Sequence, residues 1–95
     1  MFAVVGRWKL DPAQVQVQRE VLTQRIVPGV RRANGFVAGY WSEPTETGHA
    51  HSFIVFDELA AAEAFAESVR RNPHDRERHG VEDGELTVVE LMAHA

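Results

Sequence analysis

The sequence predicts a small α+β domain with the element order β-α-β-β-α-β. Three observations predict it. The chain has 95 residues, 44% of them hydrophobic and 25% charged, which suits one ordinary globular domain. Four short runs rich in Val, Ile, Phe, Tyr and Trp read as strands. Between the first and second, and between the third and fourth, lie segments with apolar residues spaced three and four apart, each introduced by an Asp and closed by Pro or Asn-Gly.

Residues 2–9 hold Phe2, Val4, Val5 and Trp8 and read as the first strand. Asp11 is a good N-cap, and Pro12 suits the first helical position, where no N–H is needed. In the helix that follows, Val15, Leu22 and Ile26 share one face, which Val17 and Val21 widen. Pro28 cannot continue the hydrogen-bond ladder, so the helix ends or kinks there, with room for one more turn before the Asn34-Gly35 stop signal. Residues 36–42 form the second strand and residues 49–56 the third, where Phe53-Ile54-Val55-Phe56 is the strongest strand signal in the chain. The short polar turn at 43–48 makes these two a hairpin. Asp57 is expected to cap a second helix, in which Leu59, Ala62, Phe65 or Ala66, and Val69 recur at helical spacing. Arg70-Arg71 suit its C-terminal dipole, and Asn72-Pro73 end it. Residues 74–84 read as a charged connection, 86–92 as the last strand, and 93–95 as a fraying tail.

This order gives a four-stranded antiparallel sheet with both helices on one face, the ferredoxin-like arrangement. The other face is then bare. It carries Trp8 or Val5, Tyr40 or Trp41, and Phe56 or Val55, depending on register. At ~25 cal/mol per Å² such a face is costly to leave in water, so a homodimer packed sheet to sheet is expected. A chain this short buries only roughly 60–65% of its unfolded surface, so association would add to a thin core.

The net charge of −4 argues against a nucleic-acid partner and against an anionic membrane surface. The absence of cysteine excludes disulfides, thiolate metal sites, iron–sulfur clusters and Cys nucleophiles. No apolar run nears the ~20 residues that span a bilayer, and residues 1–7 lack the features of a signal peptide; a cytoplasmic location is expected.

No phosphate loop, nucleophile elbow, zinc ribbon or dinucleotide fingerprint is present. His49 and His51 lie two apart on a strand and therefore share a face. That spacing suits two metal bonds with a third ligand from Glu90, Asp57 or the loop histidines, or simply an exposed pair after a turn; no metal is assigned. His74, His79, Asp75, Glu77 and Glu82 form a charged loop, read either as a solvated connection or as a lid supplying acid and base. Glu90, flanked by Val89 and Leu91, faces either the interior as a candidate base or the solvent. Trp8, Tyr40, Trp41 and Phe56 suit a pocket for a flat aromatic molecule, and equally core or interface packing.

The first strand followed by Asp11-Pro12, Pro28, the segment Gly35-Phe36-Val37-Ala38-Gly39-Tyr40-Trp41, and Phe53-Ile54-Val55-Phe56-Asp57 leading to Ala61, Ala62 and Phe65 resemble the dimeric α+β barrel superfamily. Within it they resemble the antibiotic-biosynthesis-monooxygenase-like proteins. The resemblance covers nearly the whole chain. It implies that Phe56 points into the barrel, with Ile54, Ser52 and Ala50 on the same side, together with Phe2, Val4, Gly6 and Trp8. It also implies a cofactor-independent monooxygenase acting on a small aromatic or polycyclic substrate, with Trp8, Tyr40, Trp41 and Phe56 binding it and Glu90 or His51 as base. The other expectation is a non-catalytic ligand-binding or accessory dimer. The haem-degrading subgroup carries an Asn, a Trp and a helical His where this chain has Gly6, Phe56 and no His between residues 58 and 71, which speaks against haem breakdown.

Overall fold

The computed structural model describes the chain except residues 47, 74, 75 and 77–79, and describes residue 83 by its backbone alone. Strand β1 (Phe2–Leu10) leads through a 3-10 turn (Pro12–Gln14) into α1 (Val15–Val21), a π turn (Leu22–Ile26) and α2 (Val27–Arg31). Then come β2 (Phe36–Trp41), β3 (His49–Phe56), α3 (Leu59–Arg71) and β4 (Val81–Glu90). The strands form one antiparallel sheet in the order β2-β3-β1-β4, as the predicted ferredoxin-like α+β fold requires.

Asp11 caps the first helical segment as expected. Its carboxylate accepts the Ala13 N–H at 2.9 Å, and Pro12 occupies the first turn. Pro28 does not end the helix. It has no N–H to give to the carbonyl of residue 24, and its ring crowds that carbonyl. The five-residue π turn immediately before it, Leu22–Ile26, widens the ladder there and lets the helix run on to Arg31.

Two other expectations are corrected. The second long helix starts at Leu59, and its cap residue is Glu58, whose side chain makes no cap bond. Asp57 instead pairs its N–H with the Gly35 carbonyl at 3.0 Å, closing the end of the β2–β3 hairpin. The last strand begins at Val81, not Leu86, and ends at Glu90, not Met92. Leu10 pairs with Val81 and Lys9 with Glu82, and a bulge between Arg7 and Trp8 absorbs the extra residue. Glu82 thus lies in an edge strand; His74, His79, Asp75 and Glu77 lie outside the described residues.

The alternation of β3 decides the two faces. Ala50, Ser52, Ile54 and Phe56 are buried beneath the helices, while His51 and Phe53 are exposed on the opposite side. The core joins Val4, Ile54 and Phe56 to Val30, Ala62 and Ala66, with the Phe56 ring 5.2 Å from that of Phe65. On the outer face Val5 pairs with Phe53, and Phe53 with Tyr40. Tyr40 is 67% exposed and Phe53 36%, so this part of the outer face is apolar and uncovered. Toward the other end the face turns polar: Arg7 lies 3.4 Å from His49 Nδ1 and 3.9 Å from Glu85.

Candidate functional site

Helix α3 packs directly on β1, β3 and β4, and α2 packs on β2. Between them, α1 and the π turn have no comparably close packing on the sheet. The space beneath them is a chamber of about 630 Å³, within the size range of small-molecule sites. Its floor is the sheet face that carries Val4, Trp8, Trp41, Ser52 and Ile54. Its roof includes Val15, Leu22, Ile26 and Val30. Ile26 keeps 39% of its surface exposed although it faces the sheet side, so part of the helical apolar stripe is turned to an open space and not into packed core.

Two tryptophans shape the floor, and each lies over a glycine two residues before it. A Cβ built on Gly6 would stand 2.5 Å from Ser52 Oγ and 2.6 Å from Trp8 Nε1; one on Gly39 would stand 2.7 Å from Trp41 Cη2. No side chain larger than hydrogen fits beneath either indole. Ser52 is paired with Gly6 on one side and with Trp41 on the other, in the strand between the two tryptophans' strands. The Trp8 indole N–H donates to Ser52 Oγ at 3.0 Å. That bond fixes the ring, and the Ser52 hydroxyl keeps its own proton to donate, because a hydroxyl is one donor and two acceptors.

Charged groups border the chamber. Arg19 on α1 grips Glu43, just beyond β2, through Nε at 3.1 Å and Nη2 at 2.8 and 3.0 Å, so both carboxylate oxygens are engaged. The pair is about half exposed and ties α1 to the end of the sheet. Arg76 lies with its guanidinium carbon 5.2 Å from the centre of the Trp8 ring, and its Nη1 donates to the carbonyls of Val69 at 2.9 Å and Asn72 at 3.1 Å. Arg25 borders the chamber from the π turn.

Of the residues singled out from sequence, Trp8 and Trp41 meet at the chamber. Phe56 is fully buried in the core against Phe65, and Tyr40 lies on the outer face; neither lines the chamber. His51 contributes to the wall at the β2–β3 edge, where its carbonyl accepts from the Ser42 N–H at 2.8 Å, but its register opposite Arg7 turns its side chain outward. Glu90 is exposed and pairs with Phe2, six residues from Trp8 along β1, so it sits about 20 Å from that end of the sheet. Among the described residues no three His, Asp or Glu groups gather as a metal site. Sequence reasoning overlooked Arg19, Glu43 and Arg76. It also overlooked the repeated Gly-x-Trp of Gly6-Arg7-Trp8 and Gly39-Tyr40-Trp41, a local signal that does mark the chamber floor.

No protein-family model matches the chain, and no curated protein matches it. Solved structures do. A protein of Deinococcus radiodurans, provisionally described as an antibiotic biosynthesis monooxygenase, superposes with a TM-score of 0.78 at 19% identity, covering 100% of this chain and 96% of the other. HapK from Hahella chejuensis gives 0.73 at 17% identity, covering 100% and 96%. A monooxygenase from the gene ActVA-Orf6 of Streptomyces coelicolor, in complex with the ligand nanaomycin D, gives 0.64 at 17%, covering 99% and 88%. At these identities the likeness is one of fold. The chain has the ferredoxin-like α+β fold of the antibiotic-biosynthesis-monooxygenase-like structures.

Proposed function

We propose that the chamber beneath α1 takes a flat polycyclic aromatic molecule bearing a phenol or quinone oxygen, and that the protein is a cofactor-independent monooxygenase toward it. The observation that carries this reading is the pair of indoles, Trp8 and Trp41, on the floor of a chamber of about 630 Å³, with the Ser52 hydroxyl bonded to the Trp8 N–H. Ring faces bind by area and stacking, and a single hydroxyl orients one oxygen. Burying roughly 200 Å² of ring is worth about 5 kcal/mol before the cost of immobilisation. Support for the chemistry comes from the fold, which a monooxygenase bound to nanaomycin D shares. An electron-rich ring that has lost a proton reduces dioxygen itself: an anthrone methylene and O2 give a carbonyl and water. The chamber's part is to hold the ring and keep bulk water away.

One observation favours a second reading, binding without turnover. Among the described residues the one carboxylate on the chamber wall is Glu43, and Arg19 occupies both its oxygens. Oxygen uptake with anthrone and 1,8-dihydroxyanthrone separates the readings. The oxygenase reading expects uptake of one O2 per quinone formed, above the protein-free rate. The binding reading expects quenching of tryptophan emission without uptake. If neither occurs, both fail.

We further propose that a second copy of the chain covers the outer sheet face. Val5, Phe53 and Tyr40 form an apolar row there, and a chain of this size has little other core to rely on.

A further inference from the structure

The side-chain donors on the chamber wall are almost all engaged within the protein. Arg19 holds Glu43, and Arg76 donates to two carbonyls and lies over the face of Trp8. Arg25 and Gln18 have partners as well. The Ser42 hydroxyl donates to the His51 carbonyl at 3.1 Å, the Ser68 hydroxyl to that of Phe65 at 2.9 Å, and the Asn72 amide to that of Ser68 at 2.7 Å. Ser52 differs. It is only 6% exposed, its Oγ accepts the Trp8 N–H at 3.0 Å, and among the described residues its own proton meets no acceptor. A buried hydroxyl proton is ordinarily hydrogen-bonded, and leaving it unpaired is costly. Accepting the indole N–H also polarises the O–H, which makes Ser52 a better donor and a poorer acceptor toward a molecule in the chamber. Its cross-strand neighbour Trp41 carries an indole N–H that likewise makes no hydrogen bond among the described residues.

We infer that Ser52 donates a hydrogen bond to the ligand oxygen that takes up negative charge when an aromatic substrate ionises, with Trp8 as the positioning residue behind it. This rests on the aromatic-chamber reading and gives one of its side chains a catalytic role. In an anthrone, the ring methylene gives a proton to a solvent base, and the electron pair of that C–H bond spreads onto the carbonyl oxygen. A donor already held beside that oxygen bonds more strongly as the charge grows, so it favours the ionised form that reacts with O2. 2-Hydroxyanthraquinone tests this, because loss of its phenol proton spreads charge over the phenol and carbonyl oxygens in the same way, and its visible absorption reports the change. For the bound compound, S52A should lower the ionisation constant about tenfold or more, the effect of one hydrogen bond to a charged acceptor. W8F keeps an aromatic ring but removes the N–H, and should lower the constant by a smaller factor. Affinity for anthracene, which has no oxygen, should be unchanged in S52A. Should S52A not fold, W8F decides by the same sign. An ionisation constant that stays the same or rises means that Ser52 makes no contact or accepts from the neutral phenol; either result overturns the inference and leaves the chamber standing. Absence of binding by anthracene and 2-hydroxyanthraquinone alike overturns the chamber reading itself.

Discussion

Replacing Gly6 by alanine should damage this protein far more than one added methyl suggests. The new Cβ would stand 2.5 Å from Ser52 Oγ, 2.6 Å from Trp8 Nε1 and 2.7 Å from Trp8 Cε2, all well inside van der Waals contact. Ser52 is buried between neighbouring strands and has little room to retreat, so the indole must swing away from the floor. Overpacking of this kind costs about 1–3 kcal/mol. Loss of the Trp8–Ser52 hydrogen bond adds about 0.5–1.5 kcal/mol. Taking about 2 kcal/mol as a low total, a domain of this size should melt roughly 8–16 °C lower. Thermal unfolding followed by far-ultraviolet circular dichroism measures the shift, and a G6A/W8A double variant isolates its cause: without the indole, the added methyl should cost much less. The same logic applies to G39A beneath Trp41. If G6A melts within about 2 °C of the wild type, or if its cost is unchanged in the W8A background, the indole does not lie over Gly6 and the chamber floor is wrongly drawn.

Three more outcomes are expected. Phe56→Ala removes a fully buried ring that packs on Phe65, and should cost about 3–5 kcal/mol in urea unfolding. Arg19→Ala breaks an ion pair whose side chains are 55% and 45% exposed, so stability should fall by no more than about 1 kcal/mol. Stopped-flow titration should nonetheless show faster ligand exchange, because the strap between α1 and the end of β2 is gone; unchanged rates would show that Arg19–Glu43 does not guard the chamber. Tyr40→Glu places a charge in the apolar row of the outer face. Sedimentation should then show monomers where the wild type shows dimers, while a wild type that is already monomeric would remove the proposed second copy.

The fold was legible where local chemistry and tertiary pairing agree. Phe53-Ile54-Val55-Phe56 reads as a strand by composition, and its alternation sets Ile54 and Phe56 on one face, which packs beneath the helices. Asp11-Pro12 reads as a helix start and is one. The start of β4 was not legible, because Glu82-Asp83-Gly84-Glu85 is polar and becomes a strand only by pairing with β1 at an edge. The π turn before Pro28 is a relief of steric conflict that periodicity cannot show. Trp8 and Trp41 line the chamber, whereas Tyr40 follows its own alternation onto the outer face. The placing of Glu90 opposite Phe2 depends on register, which flips a side chain with every one-residue slip. Arg19 and Glu43 are 24 residues apart, and only the folded chain brings them together.

The most direct measurement is the N–H spectrum of the two indoles. The chain has two tryptophans, so a proton–nitrogen correlation spectrum contains two indole N–H signals. On titration with a flat aromatic ligand such as 2-hydroxyanthraquinone, both signals should move together, and the ring signals of Tyr40, on the opposite face of the sheet, should stay in place. Movement of Tyr40 with both indoles unchanged would put the ligand on the outer face and contradict the chamber as the functional site.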